Sequence, residues 1–220
     1  MKTKIFESEI QFPDGEVLQI NAGPKNGCYV EILEKTRDQL SAMLSHHNKV
    51  LVVIMLFHVN DHSADNTLFS KFIRKLRKRL SERYDCRRMG YIWVRELGKR
   101  GSQHYHLALF LNGSKVQSSH SVFDLCVKIW EGWNQPRPSF SARRCYYLLR
   151  RGDYNTYAEA FYHLSYLAKT KTKGNRPSAT NDYSTSRIKT KPMLQPIKYL
   201  EATQTCAHET MCEELFVRSL

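Results

Sequence analysis

Gly101-Ser102-Gln103-His104-Tyr105-His106-Leu107-Ala108-Leu109-Phe110-Leu111 is the stretch whose reading decides the fold. From Tyr105 onward it is apolar and strand-forming, and Asn112-Gly113 closes it with a turn signal. Side chains alternate along a strand, so His104 and His106 share one face while Tyr105, Leu107, Leu109 and Leu111 take the other. At that spacing the two histidines stand roughly 6–7 Å apart at the backbone, and their imidazoles can converge on one cation. The expectation is a strand anchored in a core through its leucines, with two histidines on its open face. Histidines on a half-exposed strand are often only solvated polar groups, so the neighbours decide what the pair does.

Upstream, Gly90–Leu97 reads as a strand, and Gly98-Lys99-Arg100-Gly101 supplies a hairpin turn into the histidine strand. Antiparallel pairing then brings Glu96 beside His104 or His106, as a third ligand for the same ion; Gln103 or His58 can take that role instead. The run Lys49–Phe57 is almost continuously apolar, as in a central strand covered on both faces. Helices are expected from about Glu31 to His46, from an Asp65 cap to Tyr84, from Val116 to Trp133 and from Asn155 to Thr170. Cys145–Leu149 reads as a short strand, and residues 1–30 as short strands and turns.

Lysine and arginine outnumber aspartate and glutamate by 34 to 21, a formal charge of +13. That surplus points to a polyanionic partner, nucleic acid before membrane, since no apolar run approaches the length of a membrane span. Lys71, Arg74, Lys75, Arg77, Lys78 and Arg79 crowd the polar side of the second helix, where they either meet solvent or touch phosphate. From Thr170 to about Pro196 the chain is polar and basic, an irregular or mobile extension able to order on nucleic acid. Met1–Ile10 has no signal-peptide core, which places the protein in a reducing cytoplasm, where its six scattered cysteines act mainly as small buried hydrophobes. Cys206-x-His208-x-x-x-Cys212 has zinc-ligand types but no clear fourth ligand, and a short helix is expected around Cys212–Val217. There is no internal repeat and no Gly-x-x-x-x-Gly-Lys-Ser/Thr loop for a nucleoside triphosphate.

The helix after Asn155 carries a second set of chemical groups. Tyr157, Phe161, Leu164 and Ala168 form its core stripe, while Tyr162, Tyr166 and Lys169 fall on a separate arc about 60° wide. Tyrosines on a helix are usually packing residues, but here they accompany a histidine pair and a strong positive field. Phosphodiester transesterification needs those parts: a divalent cation to offset charge, a hydroxyl nucleophile and a cation near the phenolate.

His104-Tyr105-His106 resembles the His-hydrophobe-His motif of the HUH endonucleases, and Tyr166-Leu167-Ala168-Lys169 resembles the tyrosine motif of their rolling-circle initiators. More closely, the chain is similar to the YagK/YfjJ family of prophage proteins, related to inovirus replication initiators, over roughly residues 30–190. The resemblance implies an α+β fold, a central antiparallel sheet with flanking helices (an RRM-like palm), in a bacterial-host protein that nicks and rejoins single-stranded DNA or an origin hairpin. It also implies a metal site on the sheet at His104 and His106, with Tyr166 as primary nucleophile, Tyr162 as a second and Lys169 beside the phosphate. Strand pairing adds Glu96 as the third metal ligand, and two imidazoles with a carboxylate suit Mg²⁺ or Mn²⁺. With no helicase motif, unwinding falls to a partner such as a host helicase. The expected division is an N-terminal strand/turn extension (1–30), an HUH-like nuclease domain (31–172) and a basic C-terminal extension (173–220). The competing reading is a non-catalytic nucleic-acid-binding protein that retains the fold.

Overall fold

The computed structural model describes residues 3–98, 102–140, 144–171, 173 and 180–192. Four short strands come first: β1 (Lys4–Ile5), β2 (Glu9–Gln11), β3 (Val17–Gln19) and β4 (Cys28–Tyr29). β2 and β3 form a hairpin whose turn is closed by Gly15 at φ 89, a left-handed conformation that a residue without Cβ adopts at no steric cost. Helix α1 (Val30–His46) buries Ile32, Leu33, Leu40, Met43 and Leu44, the stripe its spacing implies. β5 (Lys49–His58) follows, then α2 (Thr67–Tyr84), β6 (Gly90–Leu97) and β7 (Gln103–Asn112). The remaining elements are α3 (Ser119–Glu131), β8 (Ser139–Phe140), β9 (Tyr146–Arg150), α4 (Tyr154–Leu164) with a 3₁₀ turn at Ser165–Ala168, and β10 (Tyr183–Thr185).

Among the described residues the central sheet has six strands, all antiparallel, in the order β10-β6-β7-β5, with β8 and β9 both pairing with the far edge of β5. The α+β expectation, a central antiparallel sheet with helices packed on it, is what the chain adopts. β5 is buried on both faces, as its uninterrupted apolar run implied. Val50, Val52, Ile54, Ile92, Val94, Ala108 and Phe110 form one face with α1 and α4 over them. Leu51, Val53, Met55, Phe57, Trp93, Tyr105, Leu107 and Leu109 form the other, beneath α2 and α3. There Phe69 stacks on Tyr105 with ring centroids 4.2 Å apart, edge-on to Trp93 and Trp130.

Several local expectations change. Helix α2 starts at Thr67 with Asn66 in the cap position; Asp65 instead accepts from the Thr67 amide at 2.8 Å, one residue before the cap. Helix α3 begins three residues later than its apolar pattern, because Ser118 caps it by accepting from the Ser121 amide. The α4 helix stops at Leu164. Ser165 is buried, its hydroxyl donates to the Tyr162 carbonyl at 2.6 Å and accepts from the Asn21 amide at 2.7 Å, and the chain tightens into the 3₁₀ turn.

The segment read as a mobile basic extension is partly ordered structure. Tyr183–Thr185 pairs with β6 as the sheet edge, and residues 186–191 run along α1. Gln39 accepts from the Ser186 hydroxyl and the Ile188 amide, and Ser45 accepts from the Lys191 amide. The polar residues that looked like solvated linker are the hydrogen-bonding partners of an edge strand. Cys206, His208, Cys212 and the helix expected at Cys212–Val217 lie outside the described residues.

Candidate metal centre

β6 and β7 pair in a register that sets Glu96 directly opposite His104 and Val94 opposite His106. Alternation therefore turns Glu96, His104 and His106 to the same face, and the Nε2 atoms of the two histidines lie 3.3 and 3.4 Å from Oε2 of Glu96. One ligand atom from each residue falls within 4.8 Å of the others, so the three can hold a metal ion. Ligands bound at about 2.0–2.2 Å sit roughly 3.0–3.5 Å from one another, so the two nitrogen–oxygen separations already fit. Two imidazoles and one carboxylate leave further coordination positions for phosphate oxygens or water.

The face carrying these residues is not open along its length. Ala108 and Phe110 continue it into the core under α1 and α4, and His106 is itself buried. The ligands sit where that covered face ends, with the His104 side chain 16% exposed and Glu96 3%. Burial pushes Glu96 toward neutrality, but the His104 and His106 imidazoles and the Lys173 ammonium outweigh it and hold the carboxyl far below its usual range. Burial also pulls His106 below its ordinary value against the opposing Glu96 carboxylate, which favours the neutral, ligating imidazole. His106 Nδ1 is buried with no hydrogen-bond partner.

The second set of groups arrives from the far end of the domain. The Tyr166 ring lies edge-on to the His106 imidazole at 5.6 Å, and Lys169 Nζ stands 5.7 Å over the Tyr166 ring. Burial first, and the Glu96 charge second, push the Tyr166 hydroxyl above its ordinary value. Lys169 reaches the tyrosine by a different route from the one its periodicity implied. It follows the 3₁₀ turn in extended conformation, bridged to Cys28, and the Thr170 amide donates to the Gly27 carbonyl at 2.9 Å. The N-terminal strands thus clamp the tyrosine turn. Tyr162 lies a turn earlier on α4, half-buried, while the Tyr166 ring touches His106.

Lys173 is the functional residue that pattern reading missed. Its side chain is wholly buried, and Nζ donates to Glu96 Oε1 and to the Lys169 carbonyl, each at 2.7 Å. Nothing in the basic run around it distinguishes this lysine from its solvated neighbours. Of the alternatives to Glu96, Gln103 lies on the opposite face, bonded to Arg95, Ser63 and the Tyr105 hydroxyl. His58 stands opposite His104 across β5 and β7 with ring centroids 5.8 Å apart, at the exposed rim of the centre.

The fold and the site together define an antiparallel α+β domain with a sheet-borne His-His-Glu group that can bind metal, and a tyrosine packed against it. No curated protein and no solved structure matches the chain. The family model of the YagK/YfjJ C-terminal domain matches residues 16–181, and the chain belongs to that family. The match begins within the N-terminal strands and takes in every residue of the centre. Among the described residues, no helix is long and apolar enough to cross a membrane.

Proposed function

We propose that this protein is a metal-dependent, site-specific nickase and ligase of single-stranded DNA. In this reading it is an HUH-type tyrosine endonuclease that initiates rolling-circle replication of a phage or prophage element. The observation that carries the reading is the seating of the Tyr166 ring on His106, beside two imidazoles and a carboxylate gathered around one point. A divalent ion held there, Mg²⁺ or Mn²⁺, supplies positive charge to the scissile phosphate and its transition state.

Each residue has a separate task. His104, His106 and Glu96 supply the ligand atoms, and Lys173 fixes the outer oxygen of Glu96 so that Oε2 faces the imidazoles. The Tyr166 hydroxyl oxygen attacks phosphorus, its proton passing to solvent, and the bond from phosphorus to the 3′ oxygen breaks, the departing oxygen taking a proton from solvent. The products are a 5′-phosphotyrosine and a free 3′-OH; attack by a 3′-OH on that linkage reverses the step without ATP. Burial first and the Glu96 charge second raise the Tyr166 pKa, so a cation neutralising that carboxylate would remove the lesser of two barriers to forming the phenolate. Lys169 stands beside the ring to steady developing negative charge, and Tyr162 is the second nucleophile of a two-tyrosine cycle. Single-stranded DNA or an origin hairpin is the substrate, and a host helicase supplies unwinding.

The test is incubation with labelled single-stranded DNA of the element's origin and Mn²⁺, followed by denaturing electrophoresis. A metal-dependent adduct that survives denaturant and maps to Tyr166 is the expected result. Full adduct formation in EDTA, or by the His104→Ala and His106→Ala variants, overturns the assignment of the centre. Origin DNA bound tightly but left intact with metal present favours the non-catalytic reading.

A further inference from the structure

Helix α2 packs on the sheet face opposite the metal centre, through Phe69, Phe72, Ile73, Leu76 and Leu80. Its outward side is almost entirely cationic. Lys71 and Lys78 form the crest; Arg74 and Arg77 line one flank, Lys75, Arg79 and Arg83 the other, and all are exposed. Glu82 is the one acidic residue of the helix, and it touches only Lys78 and Arg79. The like charges at Lys71–Lys75, Arg74–Lys78, Lys75–Arg79 and Arg79–Arg83 are one helical turn apart, a spacing that destabilises a helix. Among the described residues Glu82 meets the crest only at Lys78, and no acidic side chain forms an ion pair with Lys71, Arg74 or Arg77. This charge works against folding, and an external polyanion would offset it.

The surroundings narrow the partner. A cleft of about 430 Å³ runs along the Arg74 and Arg77 flank toward the β10 edge. A second of about 450 Å³ follows Lys75, Arg79 and Arg83 to Lys128 of α3. A helical ridge of 18 residues, about 27 Å long, thus stands between two shallow arginine- and lysine-lined clefts. The helix's exposed arc carries no aromatic side chain, and the aromatics bordering its clefts, Tyr91, Trp93 and Trp133, are packed against the core, whereas single strands are usually held by bases stacked on open aromatic faces. Nor can α2 enter a lipid interface, because its apolar side is already in the core. What fits a ridge of charge without stacking groups is a regular double row of phosphates.

We propose that α2 is a docking ridge for duplex DNA, held through its phosphate backbone without sequence readout, on the sheet face opposite the metal centre. The single strand and the duplex beside it then occupy opposite layers of one domain. The inference stands apart from the proposed chemistry, since duplex binding here needs neither metal nor Tyr166.

The experiment measures binding of a labelled random-sequence duplex of about 20 base pairs in EDTA, by anisotropy over roughly 50–200 mM salt. The ridge variant is Lys71→Gln, Arg74→Gln, Arg77→Gln and Lys78→Gln combined; the control is Lys25→Gln, Lys35→Gln and Arg150→Gln, whose residues are exposed elsewhere. The ridge variant is expected to bind at least about tenfold more weakly, with a log–log salt slope shallower by about 2–4, while the control stays within about twofold. Thermal melting should show the ridge variant at least as stable as the parent chain. Unchanged duplex binding by the ridge variant overturns the proposal. An equal loss in the control reduces the effect to net charge, and stronger binding to phosphatidylserine vesicles than to duplex reassigns the ridge to membranes. Cleavage of a short single strand, assayed in parallel, reports on the metal centre alone.

Discussion

Lys173→Met removes the ammonium from a buried ion pair while keeping most of the aliphatic stem. Glu96 is left with Oε1 unpartnered at a position only 3% exposed, facing the His106 imidazole, which burial keeps from charging readily. Removing one member of a buried pair costs about 3–5 kcal/mol, because the remaining charge stays desolvated and unpaired. For a chain of this size, that lowers the melting temperature by roughly 6–20 °C. The same substitution in a Glu96→Gln background has no charge to strand and should cost at least about 1 kcal/mol less, a coupling readable from urea melts of the four proteins. A second readout is specific to the centre. Saturating Mn²⁺ should recover more stability in Lys173→Met than in the parent chain, since a bound cation takes over neutralisation of Glu96. If Lys173→Met loses under about 1 kcal/mol, or loses the same with Gln at position 96, the pair is not what holds this carboxylate.

Tyr166→Phe keeps the ring on His106 and removes the hydroxyl, so adduct formation should fall below detection with the melting temperature nearly unchanged. Tyr162→Phe should retain the first cleavage, and a phosphopeptide mapping to Tyr162 reverses the order. His104→Ala should weaken Mn²⁺ binding, measured by calorimetry, by at least about tenfold, because one of three ligands is gone. Phe69→Ala should cost about 3–5 kcal/mol in urea unfolding, since it empties the ring cluster between α2 and the sheet. Burial first, and Arg144 second, pull His163 from 6.5 down to about 4. Its folded form binds protons less readily than its unfolded form, so the stability it contributes is complete above pH 6.5 and is lost as pH falls toward 4. The loss is up to about 3 kcal/mol, and His163→Gln should flatten that part of a pH series of urea midpoints.

The sheet and the ligand group were legible because they are local. The β6–β7 hairpin needs only alternation and a turn signal to align Glu96 with His104, and those two residues are 8 apart in sequence. The helices were legible from apolar spacing, and the start of α3 shifted where the Ser118 cap set the boundary. What escaped was set by tertiary partners. Ser165 ends α4 because Asn21 reaches it from 144 residues away, and Lys173 is buried because Glu96 lies 77 residues upstream. Neither has a local signature: a serine near a helix end and a lysine in a basic run look the same whether partnered or solvated. The edge strand β10 was hidden for a similar reason, since Tyr183–Thr185 is too short and polar to show alternation and is specified by the open side of β6.

The order in which the chain leaves the ribosome gives the β6–β7 hairpin a life of its own before the centre is complete. Glu96, His104 and His106 emerge nearly together; their strands pair with each other, and β7 pairs with β5, already synthesised. Tyr166, Lys169 and Lys173 follow only after α3, β8, β9 and α4. A nascent chain arrested before the tyrosine turn therefore displays its ligand trio without the lysine that neutralises Glu96. If the trio holds a metal ion, that stage of synthesis is the earliest at which it could be captured. The free edge of β6 stays uncovered until Thr185 is made, so the interval before release is also when the sheet is most open to pairing with a neighbouring chain.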